Sequence, residues 1–270
     1  MLQNLHTHTT FCDGKNSAEE MIEMAIELGF DSLGFSSHAP SMQHTTWEAD
    51  ALEEYKETVN LLKMRYRDRI KIFLGIELDR YSAGVISTEG YDYRIGSVHM
   101  AKKDGVWLDF DHSADEAKKT ISELFGGDSL AYAALYYQTV AELPSVLDYE
   151  IVGHFDVLTK FSERYPSIID IESKRYRCLA LEALHSLRED CEIFEVNTGA
   201  ISRGHRTTPY PAPFILDEMK RLDCKLVLTS DCHNKDFLDC HFPEAKEYIK
   251  AHGFDTLYYL TENGFVGKKI

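Results

Sequence analysis

Nowhere does this 270-residue chain approach the ~18 uninterrupted apolar residues that a membrane-spanning helix needs, so an α-helical membrane span is not expected. No C-x-x-C pair occurs among its six cysteines (Cys12, Cys178, Cys191, Cys224, Cys232 and Cys240), and that scatter argues against a structural zinc knot. Polar residues follow the amino terminus almost at once, with no export signal, so reduced thiols and a cytoplasmic location are expected. A basic stripe is missing too. The formal net charge is −16, and the run densest in Lys and Arg, "KMRYRDR" (63–69), includes an acid and reads as the polar end of a helix. Duplex binding draws its affinity from Lys and Arg neutralising phosphates, so nucleic acids are not expected as partners; a local cationic pocket for a small anion stays compatible with the charge. No linker, repeat or low-complexity tract breaks the chain. One domain over residues 1–270 is expected, with 44% hydrophobic residues as ample material for its core.

What is present is an alternation of short apolar runs with longer amphipathic segments. The runs are "LQNLHTH" (2–8), "SLGFSSH" (32–38), "IKIFLGIELD" (70–79), "YRIGSVHM" (93–100), "YEIVGHFD" (149–156), "IFEVNTG" (193–199) and "KLVLTSDCH" (225–233). Such runs suit parallel strands covered on both faces. Between them, Ser17 and Glu20 form a capping box, Met21, Ala25 and Leu28 a stripe, and Gly29 a stop. Leu52, Tyr55, Val59, Leu62 and Tyr66 predict a second amphipathic helix, and Tyr176, Leu179, Ala183 and Leu187 another. "PAPFILDEMKRL" (211–222) and "PEAKEYIKAHG" (243–253) carry prolines near their starts. Repeated strand–helix units predict an α/β fold, a distorted (β/α)7 barrel of TIM-like type, with a doubly wound open sheet as the alternative. "KKDGVWLDFDHSADEAKK" (102–119) reads as a long excursion after the fourth strand, before the helical "SLAYAALYYQTVAEL" (129–143).

The opening segment "NLHTHTTFCDG" (4–14) places His6 and His8 two apart, on one face of a strand and about 6.6 Å from one another along its axis. Further histidines fall at the carboxyl ends of the expected strands: His38 on the second, His99 on the fourth, His154 on the fifth and His233 on the seventh. The third strand ends in Glu77, and the seventh also carries Asp231. In a βα barrel these ends share one mouth, so the eight side chains should converge there. Burying so many imidazoles and carboxylates together is costly without a cation, and this donor set suits zinc, manganese or iron. Cys232, between Asp231 and His233, should face away and pack. His185 in a helix, His252 at a helix end, and His44, His112 and His241 in loops read as ordinary residues.

These motifs resemble the polymerase-and-histidinol-phosphatase (PHP) superfamily and, within it, the histidinol-phosphate phosphatase branch. The matching stretches are "HTHTTFCDGKNS", "GFSSHAP", "GIELD", "GSVHM", "VGHFDVLTKF", "NTGAISRGHRTTPYP" and "TSDCH". The resemblance implies a distorted seven-stranded barrel with three divalent metal ions, zinc, manganese or iron. It implies that His6, His8, Glu77 and Asp231 hold one, that Glu77 bridges to a second held by His99 and His154, and that His38 and His233 hold a third together with Asp13. The implied substrate is a small phosphate ester, L-histidinol phosphate, attacked by a metal-bridged hydroxide. Three divalent ions outweigh the charge of Glu77, Asp231 and Asp13; a hydroxide and a monoester dianion close the balance, whereas a diester leaves it positive. Asp231 and His205 are candidates to protonate the leaving alkoxide. Arg203 and Lys160, in loops at the same mouth, are candidate phosphate contacts, since a guanidinium matches phosphate oxygens bidentately. The acidic and aromatic "VWLDFDH" (106–112) is a candidate reader of the substrate's ammonium and imidazole. Competing readings are a phosphodiesterase or 3′-exonuclease of the same superfamily, which predicts a basic groove, and an amidohydrolase, which favours a lysine where the fourth strand here has His99. A metal-loaded domain without activity is the third, and it predicts a decayed ligand set.

Overall fold

The structure, a computed structural model, describes residues 1–42 and 49–270; His44 lies outside them. The chain runs β1 (Gln3–Asn4), α1 (Ala18–Glu27), β2 (Ser32–Phe35), α2 (Ala49–Tyr66), β3 (Lys71–Asp79), β4 (Tyr93–Ser97), β5 (Met100–Lys103) and β6 (Val106–Asp109). It continues through α3 (Ala114–Phe125), α4 (Ser129–Ala141), α5 (Leu143–Val146), β7 (Ile151–Val152), α6 (Lys174–Arg188), β8 (Ile193–Asn197) and α7 (Gly199–Ser202). The last elements are α8 (Pro213–Arg221), β9 (Lys225–Thr229), α9 (Phe242–Ala251), β10 (Thr256–Thr261) and β11 (Gly264–Lys269).

The seven expected strands form one sheet in the order β1-β2-β3-β4-β7-β8-β9, and every neighbouring pair is parallel. The two ends of that order meet. Thr7 bridges Cys232 in parallel register, and the His8 N–H donates to the Cys232 carbonyl at 3.0 Å. An open doubly wound sheet would leave β1 and β9 apart, so the nearly closed barrel is the correct alternative. Ladder pairing is shorter than the apolar runs: β1 stops at Asn4 and β7 at Val152. The residues beyond, which carry His6, His8 and His154, continue as less regular backbone over the carboxyl mouth.

Helices cover the outside of the barrel. Ser17 caps α1, with the Glu20 N–H donating to its side chain and the Glu20 carboxylate accepting its backbone N–H at 2.9 Å. The buried stripe of α1 runs through Met21, Ile22 and Ala25; Leu28 is exposed, a departure from expectation that arises because it stands at the C-cap, where the helix ends. On α2 all five predicted positions are buried, and Tyr55 ties the helix to the sheet by donating to the Gly75 carbonyl at 2.7 Å. On α6, Tyr176, Ala183 and Leu187 are buried and Leu179 is partly so.

The floor of the barrel is apolar. Leu5, Phe73, Tyr93, Ile95, Ile151, Val227 and Leu260 pack there, and the Tyr93 hydroxyl donates to the Leu5 carbonyl. That ring needs glycines around it: a Cβ on Gly75 would stand 2.2 Å from Tyr93 Cζ. The carboxyl-terminal hairpin β10–β11 closes this end, with the Gln3 side-chain amide pairing both backbone groups of Leu260 at 2.9 and 2.8 Å. Polar chemistry is thereby confined to the opposite mouth.

The stretch 102–119 is more regular than a long excursion. It forms the hairpin β5–β6 and then enters α3, capped by Ser113. The turn is Asp104–Gly105, both at positive φ (50° and 85°), as a type I′ hairpin turn requires. The Asp-Gly pair carried this signal in the sequence. Among the described residues no helix is long and apolar enough to cross a membrane.

Candidate metal centre

All eight predicted donors reach the carboxyl mouth, and hydrogen bonds to the backbone hold several of them there. Asn4 Oδ1 accepts from the His6 N–H at 3.1 Å, and Asp79 Oδ2 from the His99 N–H at 2.9 Å. The Ala39 N–H donates to the Glu77 carbonyl at 2.8 Å, which sets His38 beside Glu77. Asp231 sits in the left-handed backbone region at φ 45°, where strain is tolerated at functional positions. His6, His8, Glu77, His154 and Asp231 are buried.

Their donor atoms interlock. His6 Nε2 lies 3.2 Å from Glu77 Oε2 and 3.7 Å from Asp231 Oδ1; His8 Nε2 lies 3.6 and 3.2 Å from the same two oxygens. The other Glu77 oxygen, Oε1, stands 3.0 Å from His154 Nε2 and 3.4 Å from His99 Nε2, and those two nitrogens are 3.2 Å apart. At the rim, Asp13 Oδ2 is 3.2 Å from His233 Nε2, and Asp13 Oδ1 is 3.7 Å from His38 Nε2. Tetrahedral donors bound at about 2.0–2.2 Å to a central ion are separated by roughly 3.3–3.6 Å, close to these spacings. His6 Nε2 and His8 Nε2 are buried and have no hydrogen-bond partner among the described residues, and Glu77 Oε2 faces both of them with His38 Nδ1 at 2.9 Å. Orphaned buried polar atoms cost about 1–3 kcal/mol each, and a cation shared between them removes that cost. The nitrogen and oxygen donors therefore fit divalent metal ions.

The electrostatics carry the same message. Burial opposes charge on His6, yet Glu195, Glu77 and Asp231 together hold its imidazole well above the ordinary range. Against the same penalty, Glu77 raises His38 to about 10 and His99 to about 9. Burial and the neighbouring His233 and His38 push His8 well below its ordinary value, which favours the neutral imidazole. The carboxyls stay ionised despite burial: His6, His38 and His99 hold Glu77 low, Arg203 and His6 hold Asp231 low, and His233 and His38 do so for Asp13. Protons on the imidazoles balance these carboxylates, in the place that a divalent cation fills when it binds.

A cavity of about 550 Å³ opens over the cluster. Arg203 lines it, donating to Asp231 Oδ2 at 2.9 Å and to the Asp231 carbonyl at 3.1 Å. Lys160 lines it as well and donates to Asp111 Oδ2 at 2.9 Å. His205 is not among the described lining residues; its ring packs edge-on to Phe161 with centroids 5.1 Å apart. His112, expected to be an ordinary loop residue, reaches the cavity wall because the hairpin carries it there with Asp109 and Asp111. His185 and His252 lie away from the mouth, paired with Glu218 and Asp217, and His241 stands 3.7 Å from Glu244. Cys232 is buried in the core as expected, whereas Cys12 lines the cavity with Sγ 3.4 Å from His8 Nδ1.

Sequence reading missed Glu195, which is buried beneath the cluster and bonded to His6 Nδ1. Its signal was an acid in the middle of the otherwise apolar run of β8.

A parallel barrel with imidazoles and carboxylates gathered at its carboxyl mouth defines a metal-binding barrel protein. The family model for the PHP domain matches residues 4–199, and the chain belongs to that family. The chain is 28% identical over 251 residues to the histidinol-phosphatase of Bacillus subtilis (strain 168), covering 84% of this chain and 92% of that protein. It is 23% identical over 270 residues to the histidinol-phosphatase of Lactococcus lactis subsp. lactis (strain IL1403), covering 93% and 91%. Among solved structures it is similar to the histidinol phosphate phosphatase of Lactococcus lactis complexed with zinc, L-histidinol and phosphate. That match has a TM-score of 0.72 at 22% identity and covers 98% of each chain.

Proposed function

We propose that the chain is a metal-dependent phosphomonoesterase that hydrolyses L-histidinol phosphate to L-histidinol and inorganic phosphate, with residues 1–270 acting as one catalytic domain. The observation that carries this reading is the set of donor spacings between 2.9 and 3.7 Å around Glu77 and Asp231, beneath a cavity lined by Arg203 and Lys160. Its near full-length similarity to the Bacillus histidinol-phosphatase supports the substrate. The six free cysteines suit the reducing cytoplasm.

Three divalent ions of zinc, manganese or iron are assigned. His6, His8, Glu77 and Asp231 would hold the first, Glu77, His99 and His154 a second, and His38, His233 and Asp13 the third. When bound, the ions neutralise phosphoryl charge and acidify water. Hydrolysis of phosphate monoesters is among the slowest uncatalysed reactions, with accelerations approaching ~10²¹, and catalysis rests on positioning and charge neutralisation.

The protein's own groups do the rest. Arg203 turns its guanidinium to the phosphoryl oxygens, and Lys160 adds a second cation at the wall. Asp231 lines the cavity, and its carboxylate is assigned to carry the proton from the attacking water to the leaving alkoxide. His205, outside the lining, is the weaker candidate for that transfer. Asp109 and Asp111 face the substrate's ammonium and imidazole; burial and its neighbour Asp111 push Asp109 up to about 6.

Assays of the purified protein, supplied in turn with zinc, manganese or iron(II), against histidinol phosphate, a generic phosphomonoester and a diester test this reading. Fastest turnover on histidinol phosphate is expected. Turnover confined to the diester would overturn it in favour of a phosphodiesterase.

A further inference from the structure

Glu195 belongs to none of the ligand sets assigned above, yet its carboxylate is the most completely bonded in the barrel mouth. Oε1 accepts from His6 Nδ1 at 2.6 Å and from Thr229 Oγ1 at 2.6 Å. Oε2 accepts from the His154 backbone N–H at 2.7 Å and from Asn197 Nδ2 at 3.0 Å. Each oxygen thus takes two donors, and the buried carboxylate has no unmet demand.

The bond to His6 has a chemical consequence. A neutral imidazole carries one N–H, so a proton held on Nδ1 leaves the lone pair on Nε2. Nε2 is the nitrogen that stands 3.2 Å from Glu77 Oε2 without a hydrogen-bond partner of its own. The second oxygen acts on a different ligand. By holding the His154 N–H it fixes the loop that brings His154 Nε2 to 3.0 Å from Glu77 Oε1.

Resting on the metal-centre reading above, we propose that Glu195 is a positioning residue. Through its two oxygens it sets the tautomer of His6 and the backbone of His154, and so fixes two ligand sets relative to one another. Partners of this kind, which hold the far nitrogen of a metal-bound histidine, change metal affinity by about 10–100-fold when removed.

The test uses Glu195→Gln and Glu195→Asp in the full chain. Glutamine matches glutamate in size but turns an NH2 toward one of the two donor pairs, so one pair loses its acceptor. Metal affinity, read by competition with a chromophoric zinc chelator, is expected to fall about 10–100-fold in Glu195→Gln. kcat should fall with it while KM stays near the wild-type value, and Glu195→Asp, which keeps the charge, should recover part of both. A purely structural role predicts a lower melting temperature of the metal-free variant with wild-type metal affinity and kcat, and that result would overturn the proposal.

Histidine-selective ¹⁵N NMR of the zinc-loaded wild type gives a readout that does not depend on a variant folding. His6 should carry its proton on Nδ1, and a proton on Nε2 would also overturn the proposal. A wild type that binds no metal defeats the parent reading and this one together. A wild type that binds metal and turns over substrate, beside a Glu195→Gln of equal metal affinity, defeats this one alone.

Discussion

Arg203 clasps Asp231 at two points, its Oδ2 at 2.9 Å and its backbone carbonyl at 3.1 Å, and so braces a residue whose φ is 45°. The same guanidinium lines the cavity, with its second nitrogen, Nη1, also 3.2 Å from His233 Nδ1. Arg203→Lys keeps the charge but loses the fork that spans carboxylate and carbonyl. A fall in kcat/KM of about 10²-fold or more is expected, comparable to removing one preorganised donor at a developing charge. Steady-state kinetics check it, and a Lys variant within twofold of wild type would remove Arg203 from the mechanism.

Glu77 presents one oxygen to His6 and His8 and the other to His99 and His154. Replacing it by alanine should abolish turnover and lower metal content, with far-ultraviolet circular dichroism unchanged. His8→Ala should do the same. Near-normal rates in either variant, measured with metal supplied, would refute the assigned ligand sets.

Metal binding should release protons and strengthen with rising pH, because His38 and His99 are raised to about 10 and about 9 by the Glu77 carboxylate that a cation would share. Stability of the metal-free protein follows the same shifts. A histidine whose folded value lies above its unfolded value of 6.5 contributes fully below 6.5, and that contribution is lost as pH rises through the folded value. Chelator-treated protein should therefore melt progressively lower between pH 6.5 and about 10, and added zinc should reverse the loss. A melting temperature that rises across this window without metal would contradict the assignment.

Asp109→Asn should raise KM for histidinol phosphate while leaving a phosphomonoester without an ammonium group largely unaffected. A hydrogen bond to a charged group is worth about 1.5–3 kcal/mol, so a rise of about tenfold or more is expected. Equal effects on both substrates would mean that Asp109 does not read the ammonium.

Gly75→Ala places a methyl against Tyr93 on the barrel floor, where its Cβ would meet the ring at 2.2 Å. Overpacking of this kind costs about 1–3 kcal/mol, so the melting temperature should fall by several degrees, at roughly 2–4 °C per kcal/mol.

Much of the site was legible in the sequence because a parallel barrel makes position predictable. Each strand's carboxyl end faces the same mouth, so a histidine or acid at the end of an apolar run reports its own location. His6, His8, His38, Glu77, His99, His154, Asp231 and His233 were placed that way; Asp13 came only from the family resemblance, and the fold brings it beside His38 and His233. The Asp104–Gly105 hairpin was also written locally, in a turn signal the reading of 102–119 passed over.

What only the tertiary structure decided are the relationships between distant residues. Glu195 lies 189 positions from His6, and nothing in either segment says that their side chains meet at 2.6 Å. The plug formed by β10 and β11 and the arrival of His112 at the cavity wall are of the same kind. Periodicity and strand ends are properties of short segments and can be read in one dimension. Which buried donor finds which acceptor depends on how the seven strands close, and that is settled only when the whole sheet is packed.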